Sequence, residues 1–377
     1  MANYPVVVYG ASGYTGMLVM DWLIDQNIPF KAMGRDAARI KKMMEERVVR
    51  LESARYEIVE VEHSVDALAK AFEGARVVCN TVGPFSKFGP TVVEAALKGG
   101  CHYIDSTGEQ GFIREVRDRF GELYRQAGLV LAPSVAYMFT FAEIAAELAL
   151  ETPGIDVLET ATIARGPRTG ESGVTVGSTA TIFEMLRAPA YYLWDNELVE
   201  YSPTDSFNIS SPDYLEPVFG LPWNGTTLPI YYQNDSRVRT CQSAVAFYDT
   251  DIMKTVHALC QKWEAEYKDL PVEEQDAILH SMAESTTPSM PPRERSTLQR
   301  STDFAIGRGQ MAAVRATVHG MTPYISTGAL HSAAVVKLLD NDVTQTGFTS
   351  ACKTFGHRYL LSFLEQRGLA RAKVIEL

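Results

Sequence analysis

Val6-Val7-Val8-Tyr9-Gly10-Ala11-Ser12-Gly13-Tyr14-Thr15-Gly16 reads as a buried strand that turns tightly into a helix. Gly10 suits the positive φ of such a turn, Gly13 lets backbone approach a phosphate, and Gly16 lets the new helix sit close on the sheet. The helix start then offers free N–H groups and the positive end of its dipole to an anion, which is how a dinucleotide pyrophosphate is held. Spacing of glycines alone fits many strand-to-helix turns. Here an amphipathic helix follows (Met17, Leu18, Met20, Trp22, Leu23), and a second strand-like run, Phe30 to Met33, closes a βαβ unit. Ser12, Tyr14 and Thr15 complete the loop expected to touch cofactor.

Which dinucleotide is decided just after the second strand. An NAD site places a carboxylate there for the ribose 2′-hydroxyl, whereas a 2′-phosphate calls for a cation. This chain has Gly34-Arg35-Asp36, with Arg39, Lys41 and Lys42 beyond. Arg35 suits a phosphate through its planar fork, so NADP(H) is favoured over NAD(H). Arg39, Lys41 and Lys42 equally suit a solvated helix face.

At 377 residues the chain has room for two domains of ordinary size. A net charge of −11 argues against nucleic acid or an anionic membrane as general partners, which need a basic surface. No run of apolar residues is long enough to span a bilayer, and no charged leader with an apolar core precedes Val6, so a cytoplasmic location is expected. The five cysteines (Cys79, Cys101, Cys241, Cys260, Cys352) are scattered and lack metal-ligand spacing, which fits small core residues and neither a disulfide framework nor a metal site.

The first third alternates strand and helix. Strands are predicted at 56–61, 76–80, 103–105 and 129–132, with helices at 65–72, 90–98 and 111–126. That rhythm predicts an α/β fold: a Rossmann-type, doubly wound parallel sheet, with ligands at the carboxyl ends of its strands. Thr81, Gly83, Pro84 and Phe85 then fall at the cofactor edge, as does Asp105 after the fifth strand. The middle changes character: a strand at 157–165, a helix at 178–186, strand-like runs at 228–232 and 244–248, helices at 251–267 and 272–283, a proline-rich loop at 285–296, and strands at 303–306 and 312–319. A helix over 327–339 and an amphipathic run at 355–364 end the pattern. Three domains are expected: a nucleotide domain at 1–135, an α+β substrate and dimerisation domain with a mixed or antiparallel sheet at 136–325, and C-terminal helices at 326–377 returning to the first. Rings are frequent in the middle (Tyr191, Tyr192, Trp194, Phe219, Trp223, Tyr231, Tyr232), as core packing or as the wall of an apolar substrate site.

Three stretches together, the loop at 6–16, Asn80-Thr-Val-Gly-Pro-Phe-Ser-Lys-Phe-Gly89 and Cys101-His-Tyr-Ile-Asp-Ser-Thr-Gly-Glu109, resemble the saccharopine dehydrogenase-like oxidoreductases, in the branch that includes the trans-acting enoyl reductases. The resemblance covers roughly the first 130 residues, with a weaker echo at Thr322 to Leu339. It implies a nucleotide domain, a second domain whose sheet is inserted before a C-terminal helical return, and NAD(P)-dependent oxidoreduction. Two departures stand out. Val135-Ala136-Tyr137-Met138 replaces a Gly-Phe-Asp type motif, and Thr322 stands where an Asp is expected. Both leave substrate and proton donor open.

Hydride transfer needs a positioned nicotinamide, a dry site and a group that moves a proton. The expected reaction is reduction of a conjugated double bond, or a related carbonyl, in a small apolar or acyl substrate. Tyr137, His331, Lys87 and Tyr103 are the candidate donors. Tyr137 equally suits a packed ring, His331 a helix contact and Lys87 an exposed loop. The carboxylates of Asp105 and Glu109 also suit holding loops by accepting backbone N–H bonds. Two other functions are compatible: an imine or amino-acid dehydrogenase, using Arg165, Arg168, Arg308 or Arg315 for substrate carboxylates, and an NADP(H)-binding protein without catalysis. A homodimer is expected.

Overall fold

Val6, Val7 and Val8 are completely buried in the computed structural model, which describes residues 4–166, 174–222, 227–287 and 290–377. A strand apolar on both faces belongs in the middle of a parallel sheet covered by helices. The chain begins with β1 (Val6–Tyr9), α1 (Tyr14–Asp25), β2 (Phe30–Gly34), α2 (Ala37–Arg47), β3 (Tyr56–Glu60), α3 (Val65–Phe72), β4 (Val77–Asn80), α4 (Phe85–Lys98), β5 (His102–Asp105), α5 (Gln110–Gln126), β6 (Val130–Ala132) and α6 (Tyr137–Leu150). It continues through β7 (Val157–Arg165), α7 (Val176–Glu184), β8 (Tyr191–Trp194), β9 (Glu197–Glu200), β10 (Phe207–Ile209), β11 (Val218–Leu221), α8 (Leu228–Tyr232), β12 (Thr240–Phe247), α9 (Thr250–Lys262), α10 (Val272–Thr286), β13 (Arg300–Arg308) and β14 (Ala313–Met321). The last elements are α11 (Pro323–Leu339), β15 (Gly347–Phe348), α12 (Ala351–Phe355), α13 (His357–Glu365) and β16 (Ala370–Glu376).

Two compact units result. The first comprises residues 1–107, 112–137 and 324–364. Its sheet has seven strands in the order β15-β6-β5-β4-β1-β2-β3, and every pairing is parallel. β1 lies between β2 and β4, so the order reverses there, at the place where open α/β sheets bind ligands.

The second unit comprises residues 108–111, 138–323 and 365–377. Its nine-stranded sheet runs β10-β11-β12-β7-β13-β14-β16, with β8 and β9 appended beside β12. β12 and β7 are parallel and their neighbours antiparallel, so the sheet is mixed. One face carries an apolar cluster of Ala161, Ile163, Ile209, Val218, Ala246 and Phe304. The opposite face meets Phe141 of α6, whose ring packs so closely that a Cβ on Gly320 would lie 2.4 Å from it.

Four expectations change. Residues 228–232, read as a strand, form α8: Pro229 sits in its first turn, where a missing N–H costs nothing, and all five residues are buried, so the apolar run carries no alternation. α4 starts at Phe85, capped by Pro84, and carries Pro90 inside it. α11 starts at Pro323, one turn before Thr327. The C-terminal segment does not belong to one unit: residues 324–364 lie in the first, while β16 pairs antiparallel with β14 in the second.

Asp303 is the notable polar group of the second sheet. It is fully buried and accepts from Thr162 Oγ1 at 2.7 Å and Ser301 Oγ at 2.7 Å. Burial pushes its carboxyl up to about 7, against the two hydroxyls that lower it. An unfolded Asp titrates near the ordinary value of 3.8, so between that pH and about 7 the folded state holds the extra proton. Stability contributed by this group is therefore complete below that window and declines as pH rises through it, by at most ~1.4 kcal/mol per pH unit. Urea unfolding of wild type and Asp303→Asn across this range should show the variant gaining on wild type as pH rises. A pH-independent difference would contradict this assignment.

Candidate functional site

The turn from β1 to α1 is built around a backbone that leaves no room. Gly10 has φ +92°, and its N–H and that of Ala11 both donate to Met33 O, at 2.9 and 3.1 Å. A Cβ on Gly10 would lie 2.6 Å from Thr81 Oγ1, and one on Gly16 would lie 2.5 Å from the Gly10 carbonyl. Only glycine fits either place. Gly13 donates to Gly10 O at 2.9 Å and caps α1 without any side-chain hydrogen bond. Gly13 thus offers no side chain to cap the first turn of α1, which suits an anion site. Ser12 and Thr15 are half-buried, and the Tyr14 ring is buried edge-on against Tyr324 at 5.3 Å. Across the switch point, Thr81 donates through both N–H and Oγ1 to Tyr9 O, each at 2.9 Å, tying β4 to this turn. The residues present fit a dinucleotide pyrophosphate.

Arg35 follows β2 directly, is exposed, and makes no ion pair among the described residues. Asp36 beside it caps α2 by accepting from Arg39 N at 2.8 Å, and Glu60 accepts from Ala37 N at 2.9 Å. Lys41 and Lys42 pair with Glu45 and Glu46 one turn on, each at 3.9 Å. Those lysines are a solvated helix face, and Arg35 is the cation left at the strand tip.

At the ends of β4, β5 and β6 a buried network holds the loops. Asn80 Nδ2 donates to Tyr103 Oη at 2.9 Å, and Tyr103 Oη donates to Asp105 Oδ2 at 2.8 Å. Asp105 Oδ1 accepts from Thr107 N and Ser134 N, both at 2.9 Å, and the Asp105 carbonyl accepts from Val135 N at 2.8 Å. Ser134 is held at φ +64°, an uncommon backbone state that these bonds impose. Tyr103 and Asp105 are both fully buried, and burial with the adjacent carboxylate raises the Tyr103 hydroxyl well above its usual range. Asp105 thus holds the loops by accepting backbone N–H bonds, as the sequence suggested, and Tyr103 is tied into the same network.

His331 faces the same network. It lies on the third turn of α11, is completely buried, and faces backbone of Asp105 and Val135. Burial brings its imidazole down to about 4, so it is neutral at pH 7. Phe85 packs under α4 against Phe112 at 6.0 Å, while Gly83 and Pro84 stay half-buried ahead of that helix. Lys87 is exposed in the first turn of α4. Tyr137 opens α6 right after β6, its N–H donating to Thr327 Oγ1 at 3.1 Å.

His63 is the residue that sequence reasoning missed. It follows β3, and its Nδ1 lies 2.8 Å from Tyr9 Oη. The signal was present: a histidine in the loop after a parallel strand, beyond Val61 and Glu62, at the ligand end of the sheet.

Residues 140–377 match the model of a family described as a family of unknown function, DUF5938. The chain belongs to that family. In this DUF5938 chain, residues 6–131 match the model of the saccharopine dehydrogenase NADP binding domain. A lipid droplet localized protein of Caenorhabditis elegans is 28% identical over 144 residues, covering 36% of this chain and 34% of that protein. A trans-acting enoyl reductase of Mycobacterium ulcerans is 31% identical over 134 residues, covering 34% of this chain and 32% of that protein. The matched part thus spans about a third of these relatives. In fold, the chain is similar over 98% of its length to a saccharopine dehydrogenase of Saccharomyces cerevisiae, covering 99% of that chain with a TM-score of 0.59 at 14% identity. Among the described residues no helix is long and apolar enough to cross a membrane, and no cluster of three or more His, Cys, Asp or Glu could hold a metal ion.

Gly16→Ala should collide with the Gly10 carbonyl and lower the stability of the first unit by roughly 1–3 kcal/mol, with loss of dinucleotide affinity. Thermal unfolding with and without NADPH checks it. A variant as stable as wild type and equally stabilised by NADPH would contradict the geometry.

Proposed function

We propose that this protein is an NADP(H)-dependent oxidoreductase that reduces a double bond conjugated to a carbonyl in an apolar acyl substrate. The observation that carries the cofactor half is the crowded glycine turn at Gly10, Gly13 and Gly16, with Arg35, which makes no ion pair among the described residues, at the tip of β2. Arg35 binds the 2′-phosphate, and the first turn of α1 the pyrophosphate. When bound, the nicotinamide supplies the hydride. Tyr137, at the carboxyl end of β6, delivers the proton to the carbon or oxygen left electron-rich.

Support for the substrate half comes from the enoyl reductase and lipid droplet relatives, not from the aromatic content of the second unit. Those rings are largely satisfied by one another: Tyr192 meets Tyr201 at 4.6 Å, Tyr201 meets Phe207 at 5.9 Å, and Tyr214 meets Tyr248 at 4.8 Å. An imine substrate would require paired arginines. Arg165 lies over the Tyr248 ring at 5.3 Å, and Arg168 falls outside the described residues.

Oxidation of NADPH in the presence of enoyl thioesters, enones and imino acids tests the reading. Turnover on a conjugated acyl substrate is expected, with Tyr137→Phe reducing kcat about a hundredfold or more. Turnover confined to imino acids, or none with any of the three, would overturn it.

A further inference from the structure

Three groups meet at the carboxyl ends of β1, β2 and β3. The His63 ring lies nearly parallel to that of Tyr9, at 6.0 Å and 14°, and Phe88 of α4 meets it edge-on at 5.3 Å and 87°. Tyr9 Oη lies 2.8 Å from Nδ1, and when the hydroxyl donates in that bond the imidazole proton sits on Nε2. Nε2 is buried and has no hydrogen-bond partner. A donor held rigid, desolvated and unmatched is unfavourable in the protein alone and calls for an acceptor from a ligand. The Arg35 guanidinium is close enough to be felt by both groups: it lowers the Tyr9 hydroxyl, which burial raises, and adds to the lowering that burial imposes on His63. An acceptor that suits a cation and an adjacent N–H donor is an anionic oxygen.

We infer that His63, braced by Tyr9, is the second anchor beside Arg35 for the 2′-phosphate of NADP(H), and that it sets the preference for this cofactor over NAD(H). The inference rests on the NADP(H) reading above. Arg35 supplies the permanent charge and His63 the directed donor. Tyr9 from β1, Arg35 after β2 and Phe88 from α4 face the imidazole, and of these only Arg35 carries charge at neutral pH. Burial and Arg35 both keep His63 neutral in the free protein, and a phosphate dianion at Nε2 favours its protonated form. Preference for NADPH should therefore strengthen from mildly alkaline to neutral pH.

The experiment measures Kd for NADPH and NADH by nicotinamide fluorescence on wild type, His63→Phe, His63→Gln and Arg35→Ala. In parallel, the histidine NMR resonances of wild type are followed as 2′-AMP or 5′-AMP is added. His63→Phe should weaken NADPH about tenfold or more and NADH less than about twofold, as for loss of one charged hydrogen bond. His63→Gln, which keeps an N–H donor, should retain part of the affinity. The His63 resonance should move with 2′-AMP and not with 5′-AMP. Equal weakening of both nucleotides in His63→Phe, or a His63 resonance indifferent to 2′-AMP in a protein that prefers NADPH through Arg35, would overturn the inference and leave the cofactor reading standing. A wild type that binds both nucleotides alike, or neither, would remove both. If His63→Phe does not fold, His63→Gln and the wild-type resonance decide.

Discussion

The carbonyl of Gly10 is where the first unit tolerates nothing else. It accepts from Gly13 N at 2.9 Å, and a Cβ on Gly16 would come within 2.5 Å of it. Met33 O holds the same turn from β2, and Thr81 holds it from β4. Three strands are thereby tied together at their carboxyl ends by a loop whose N-cap, Gly13, has no side chain. The close approach that excludes side chains also makes an anion site of α1, because backbone N–H groups and the helix dipole then act at short range. Structure and binding are the same constraint at this point.

Around it, polar groups divide between scaffold and site in a way that the sequence expresses poorly. Asn80, Tyr103 and Asp105 occupy alternate positions near strand ends and have the chemistry of a catalytic relay. Their hydrogen bonds run to one another and to the backbone of Val82, Thr107 and Ser134, so the network shapes the β4, β5 and β6 loops. His331, neutral and completely buried, belongs to the same scaffold. His63 carries the opposite pattern. One nitrogen is satisfied by Tyr9, while the other is held ready beside a cation.

The parallel sheet was legible because its strands are short apolar runs punctuated by helices of clear period. β7 and α3 were readable to their exact ends, 157–165 and 65–72. The second sheet was harder. Its strands are interrupted by insertions, and the wholly apolar run of α8 lacks the period that separates helix from strand. β15 is two residues long and β16 lies far beyond its partner β14 in sequence, so each is recognised only once the sheet exists. At the site, the glycine turn and Arg35 were readable because their chemistry is local. The loop-holding reading of Asp105 was legible too, whereas the surroundings of Tyr103, His331 and His63 depend on partners brought from other strands and helices, and the sequence marks only their nearness to strand ends.

Whether the Gly10 to Gly16 turn holds NADP(H) is decided by fluorescence titration of wild type and Gly13→Asp with NADPH. Saturable binding is expected of wild type and should be abolished by a carboxylate placed at the start of α1, where it would repel the pyrophosphate. Absence of saturable binding by wild type, or binding that survives Gly13→Asp unchanged, would contradict it.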